Sequence, residues 1–227
     1  MRITVRFEKG EAVRFLSHLD TQRLLQRALR RARIPLAYSQ GFNPHPQLSF
    51  ATALSVGCTS SAEWLDIKLA EDMQPDELME RVNAALPAGV RILEAHLAAE
   101  NAPTLSTLMC AVEYHTELFF EEPLSEETIA KEIESFLEEP IMVMKKTKSG
   151  DKIVDIRPMV LKMELSGLEN HTDAKIRLIG RMDAAGSLNA DLLLNAFLKA
   201  VGHTAEKRTH RTAIYTDKEC VLPKADF

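Results

Sequence analysis

With 227 residues, 45% hydrophobic and 27% charged, the chain has an ordinary globular composition and the length of one large domain or two of about 100 residues, which excludes a disordered or collagen-like polypeptide. No apolar run reaches the roughly 20 residues that span a bilayer. The alternating start Met1-Arg2-Ile3-Thr4-Val5-Arg6-Phe7 has no signal-peptide core, and three scattered cysteines (Cys58, Cys110, Cys220) suit a reducing compartment, so a soluble cytoplasmic protein is expected. The net charge of −5 divides into +6 over residues 1–50, −12 over 51–150 and +1 over 151–227, which points to a basic face that meets an anion.

Ile3, Val5 and Phe7 share one face of a first strand. Ser17 or Asp20 then starts a helix whose apolar stripe is Leu24, Leu25, Ala28, Leu29 and Ala32, with Pro35 ending it shortly afterwards. Strands are expected over residues 48–54 and 63–69, a helix from Pro75 to Leu86 and a fourth strand over 90–97. That succession, β-α-β-β-α-β, is the ferredoxin-like split unit. After a linker at Asn101-Ala102-Pro103 the theme repeats: a strand over 112–120, a helix capped by Ser125, strands over 141–146, 153–165 and 175–182, a helix from Asn189 to Gly202, and a strand over 209–216. The expected fold is α+β, two tandem ferredoxin-like halves with antiparallel sheets. Residues 1–100 make one domain and 105–227 the other, with one strand more than the ideal unit.

The first helix is anomalous in charge. Arg23, Arg27, Arg30 and Arg31 form one stripe opposite the leucines, and Asp20 is the only acid beside them. Unbalanced guanidinium groups either track phosphates, with Arg14 nearby, or pair with acids of residues 51–150 inside the fold. His18 and Asp20 stand where the strand turns into this helix. His18 is the candidate general base or acid there; Asp20 either caps the helix or orients it. The loop that follows holds Tyr38, Gln40, Gly41, Phe42, Asn43, His45 and Gln47, with Pro44 and Pro46 stiffening it. Tyr38 and Phe42 are placed to stack on a base, or Phe42 fills a core. Trp64, on the polar side of its strand, either extends this surface or packs between the halves. No metal-binding, iron–sulfur, dinucleotide or nucleophile-elbow motif is present.

Three segments carry a family resemblance: Phe7-Glu8-Lys9-Gly10, Arg14-Phe15-Leu16-Ser17-His18-Leu19-Asp20, and residues 38–46, Tyr-Ser-Gln-Gly-Phe-Asn-Pro-His-Pro. Together with Arg157-Pro158 and residues 211–215, they make the chain resemble the bacterial radical-SAM-linked family, found alone or fused behind a radical S-adenosylmethionine protein. Gln47 stands where that family carries Lys or Arg. The resemblance implies a radical S-adenosylmethionine protein as partner, an RNA or ribosome setting, and no cofactor of its own.

The function expected from these features is an accessory module that binds tRNA or rRNA for modification or processing by that partner. The alternatives are a metal-independent RNA-processing enzyme using His18, and a protein–protein adaptor without nucleic acid.

Overall fold

The computed structural model describes residues 1–99, 101–147, 150–183 and 186–216; Cys220 lies outside them. The fold is α+β, with mostly antiparallel sheet and few helices. The chain divides into two units. One holds Met1–Met109 and the described residues from Ala213 on; the other holds Cys110–Thr212. Among the described residues no helix is long and apolar enough to cross a membrane.

In the first unit the elements are β1 (Arg2–Lys9), α1 (His18–Arg31), β2 (Leu48–Phe50), β3 (Thr59–Lys68), α2 (Pro75–Ala85), β4 (Val90–Leu97) and a single turn, α3 (Leu105–Leu108). The strands lie in the order β4-β1-β3-β2, every neighbouring pair antiparallel. Ile3, Val5 and Phe7 are buried by their period-2 spacing and meet Leu25 and Leu29 of α1, Leu78 and Val82 of α2, and Ile92 of β4 in one core. Leu24 and Ala32 lie at its margin, completing the apolar stripe of α1. Beyond α1, Arg33 adopts a left-handed φ of 53° and reverses the chain, and Arg81 of α2 donates to the carbonyls of Ala32 and Arg33 at 2.7 and 2.6 Å.

The second unit holds β5 (Ala111–Phe120), α4 (Glu126–Glu138), β6 (Met142–Thr147), β7 (Gly150–Asp155), β8 (Val160–Glu169), β9 (Asp173–Asp183), β10 (Gly186–Ser187), α5 (Ala190–Val201) and β11 (Ala205–Tyr215), whose residues to Thr212 belong here. β9 pairs β5, β8 and β10, and β11 lies on the other side of β5. Ser125 and Asn189 cap α4 and α5 as their side chains imply, and Gly202 ends α5 with φ of 75°. The continuous strand expected over 153–165 is broken in two. Pro158 lacks the N–H a ladder needs, and residues Arg157–Met159 form a 3-10 turn instead. What precedes the break pairs only with β6, as a separate two-stranded ribbon.

Each unit carries an Arg–Glu–His group on adjacent strands. Arg6 of β1 binds Glu94 of β4, whose other oxygen lies 3.4 Å from His96 Nε2. Arg177 of β9 binds both oxygens of Glu113 of β5 at 2.9 and 3.0 Å, and His115 Nε2 lies 3.0 Å from the same carboxylate. The Arg6 guanidinium holds the Glu94 carboxyl below its ordinary range. A carboxyl depressed on folding stabilises above its unfolded value, about 4.3, and loses that contribution as pH falls through the folded value. Replacing Arg6 by Met should therefore flatten the acid limb of stability as pH falls below the ordinary carboxylate value, read as urea midpoints. The change is small, since the pair is partly solvated.

Candidate nucleic-acid interface

The turn from β1 into α1 is built by its own polar side chains. Lys9 is buried to 2% exposure, and its ammonium donates to the carbonyls of Arg14 and Leu16 at 2.9 and 3.0 Å and approaches that of Cys58 at 3.5 Å. Gly10 donates to the Gly89 carbonyl at 2.8 Å, and a side chain on Gly89, which holds φ of 91°, would meet Ala12 and Val13. Ser17 is the N-cap: its hydroxyl oxygen accepts from the Asp20 N–H at 3.2 Å and its proton goes to Asp20 Oδ2 at 2.7 Å.

That hydrogen bond from Ser17, with the Arg23 guanidinium 3.2 Å from the other oxygen, holds the Asp20 carboxyl below its ordinary range. Asp20 thus serves the capping turn of Ser17, its two oxygens taken by Ser17 and Arg23. The His18 ring stands edge-on to Phe50, centroids 5.4 Å apart, with Nε2 2.8 Å from the Gln22 amide one turn on. Ser17→Ala should cost about 1 kcal/mol, visible as a fall of a few degrees in Tm. An unchanged Tm would show the cap to be dispensable.

The arginine stripe faces solvent along α1. Among the described residues the only carboxylate bonded to it is Asp20, on Arg23, and none of the described acids of 51–150 pairs with it. Arg31 has a structural task, donating to the Ala85 carbonyl at the end of α2 at 2.6 Å. Arg30 and Arg31 also suit the negative end of the helix dipole. Arg27 and Arg30 are exposed and have no bonded partner among the described residues. Arg14 stands apart, over the Phe15 ring at 4.6 Å and paired with Glu11 at 3.0 Å.

Residues 38–47 form a tight loop whose two arms bond to each other. Ser39 N–H donates to the His45 carbonyl at 2.9 Å, and His45 N–H returns to Ser39 Oγ at 3.1 Å. The Gln47 backbone N–H donates to the Ala37 carbonyl at 2.9 Å and its side-chain amide to the Tyr38 carbonyl at 3.1 Å, so the side chain braces the backbone of the loop. Lys68 N–H donates to the Gln47 carbonyl at 3.1 Å and ties the base of the loop to β3. At the tip Gln40, Gly41, Phe42, Asn43 and His45 are exposed, and Tyr38 on the arm is 41% exposed. Phe42 fills no core: it is as open as in an extended peptide.

The structure thus brings Arg23, Arg27, Arg30 and Arg31 together on one helix, with only residues 32–37 between Arg31 and the loop. His18 and Arg14 belong to the opposite, N-terminal end of that helix. Trp64 is buried and adds nothing to the exposed surface. Sequence reasoning met Lys9 only within the motif Phe7-Glu8-Lys9-Gly10 and gave it no role, since nothing in its neighbourhood announces its burial beyond its inward register with Phe7. It also passed over the exposed apolar residues Phe15, Leu19 and Val56, which period and composition do not distinguish from core positions.

Among solved structures, the chain resembles a chain of a Cbf5–Nop10–Gar1 complex over 96% of its length, at 10% identity with a TM-score of 0.53. It resembles a chain of an H/ACA RNP bound to a substrate RNA containing 2'-deoxyuridine over 97%, also at 10% and 0.53. The archaeal box H/ACA sRNP Nop10–Cbf5 complex gives 97%, 9% and 0.52. At such identities the likeness concerns the fold alone, and this chain spans half the length of each. No curated protein matches it. Residues 2–189 match the family described as "Uncharacterized protein conserved in bacteria (DUF2344)", and the chain belongs to that family.

Proposed function

We propose that this protein is an RNA-binding accessory module which receives RNA on the outer face of α1 and on the 38–47 loop, and presents it to a radical S-adenosylmethionine enzyme. The observation that carries the RNA reading is the exposed run of guanidinium groups in which Arg27 and Arg30 have no carboxylate among the described residues. A fixed row of like charges on a rigid helix is costly unless an anion relieves it, and a phosphate backbone supplies anions in a row. The fold adds support, since it resembles that of a chain in an RNP whose structure holds a substrate RNA. The enzyme partner rests on the sequence motifs alone.

The order β4-β1-β3-β2, with helices after β1 and β3, supports reading the first unit as ferredoxin-like. The order β11-β5-β9-β8, with the β6–β7 ribbon inserted before β8, supports the same reading for the second. The Asp20 carboxyl is engaged by Ser17 and Arg23, which supports its place in the capping turn over a role as the orienter of a catalytic His18.

Gentle purification from bacterial cytoplasm, the 260/280 nm ratio and sequencing of bound RNA test this directly. The protein should carry a defined RNA, and its affinity should fall with salt at a log–log slope near −0.7 for each phosphate engaged. A clean protein with no salt-dependent affinity for RNA would refute the RNA reading. A co-purifying protein that resists high salt would point to the adaptor instead.

A further inference from the structure

An exposed Phe at the end of a braced loop asks for a partner. Phe42 stands fully in solvent, and the loop that holds it has little freedom to fold it away. Pro44 and Pro46 fix backbone torsions, the Ser39–His45 bonds close the arms, and Tyr38 and Pro46 form a backbone bridge. Gly41 adopts φ of 123°, a conformation closed to other residues although space around it is open. The exposed side chains next to it along the loop are planar and polar. The amides of Gln40 and Asn43 have no bonded partner among the described residues. His45 spends Nδ1 on Ser39 Oγ at 3.1 Å and the Asn43 carbonyl at 3.4 Å, which leaves Nε2 outward.

An aromatic face flanked by amides and one imidazole nitrogen matches a nucleobase, which offers a π-face and a hydrogen-bonding edge together. A purely apolar protein pocket would instead strand those polar groups. A paired base hides its face in the stack and its edge in the duplex, and the major groove of A-form RNA is too narrow for side chains to read.

We therefore infer that Phe42 is a stacking platform for one unpaired nucleobase, with Gln40, Asn43 and His45 at its edge, so that the RNA taken by this surface is single-stranded or looped. The inference rests on the RNA reading above and narrows it. Phosphates 5' or 3' of the seated base lie on the guanidinium groups at the C-terminal end of α1, nearest the loop in sequence. Affinity then has two separable parts: a salt-dependent part set by the arginines and a salt-independent part set by the ring.

The probes are a fluorescein-labelled single-stranded RNA dodecamer of mixed sequence and the same strand annealed to its complement, titrated by anisotropy against the whole chain. The native protein should prefer the single strand. Phe42→Ala should weaken the single strand on the order of tenfold or more while leaving the salt slope and the duplex affinity unchanged. Phe42→Trp should bind as the native protein does. The chain holds one other Trp, buried Trp64, so quenching of the new, exposed indole by the single strand reports stacking. Phe42→Ala with native affinity, or an unquenched indole in the bound complex, overturns the inference. If the arginine variants still abolish binding in that case, the RNA reading stands without it. If neither probe binds the native protein, both fall. A protein partner lost on Phe42→Ala, with RNA affinity kept, would assign the ring to a protein contact and also overturn it.

Discussion

Reversing two charges, Arg27→Glu with Arg30→Glu, should reduce single-stranded RNA affinity on the order of 100-fold at physiological salt. The magnitude follows from counterion release. With a slope of about 0.7 per phosphate, each contact contributes roughly fourfold between 1 M and 0.15 M salt, so losing two costs about 15-fold. Reversal also places carboxylates where phosphates would sit, which roughly doubles the exponent. The salt slope should flatten by about 1.4 or more, so affinities must be compared across a salt series and not at one concentration.

The fold should survive, because both side chains are exposed and unbonded among the described residues. Removing guanidinium groups also relieves repulsion with Arg23 and Arg31. A minor cost is expected from Glu at position 30, near the negative end of the helix, and a thermal melt controls for it. Arg31 is the wrong choice for this test, since its bond to the Ala85 carbonyl joins α1 to α2 and its loss mixes stability with binding. Native affinity in the double variant would reduce the stripe to a solvated face.

Much of the frame was legible in the sequence because its signals are local. Ser17, Ser125 and Asn189 accept hydrogen bonds at helix starts whatever surrounds them, and Gly202 supplies the left-handed stop of α5. The fourth strand, 90–97, is bounded by Pro87-Ala88-Gly89 before it and observed over the same residues. What could not be read depends on distant partners. The apolar stretch around Met142, Met144 and Ile153 has strand composition, yet these side chains are exposed on a two-stranded ribbon, because composition does not say which strand lies next.

At the candidate surface the stripe was visible from spacing alone, whereas its freedom from acids was not. The 19 carboxylates of residues 51–150 were equally able to neutralise it, and only the tertiary arrangement shows that none of the described ones pairs with it. Phe42 was ambiguous for the same reason: an aromatic in a proline-rich loop serves a core and a surface equally well until its exposure is known. Asp20 could be read as a cap or as an orienter; the structure makes Ser17 the N-cap and bonds its hydroxyl to Asp20.

Lys9→Met should strongly destabilise the first unit, lowering stability by about 3 kcal/mol. Methionine keeps the length and most of the volume, so packing loss is minor and the effect isolates the ammonium. Exchanging both members of a buried polar pair for apolar groups can be neutral, but here the acceptors are main-chain carbonyls that stay behind. Those of Arg14 and Leu16 lose a charged donor at 2.9 and 3.0 Å, and the segment they fix leads directly into Ser17 and α1. The urea midpoint should fall with the slope m unchanged. Hydrogen exchange should accelerate first at the α1 N-terminus, where Thr21 N–H bonds to the Ser17 carbonyl. Lys9→Arg should fail to rescue, because a planar fork does not fit a site shaped for a point charge with acceptors on several sides. A native midpoint in Lys9→Met would mean that the carbonyls find water, and that the lysine only fills space. Loss of stability together with weaker RNA binding would instead tie the Lys9-Gly10 motif to function through the helix it anchors: Lys9 would act on the arginine stripe by holding α1 in place, without touching RNA itself.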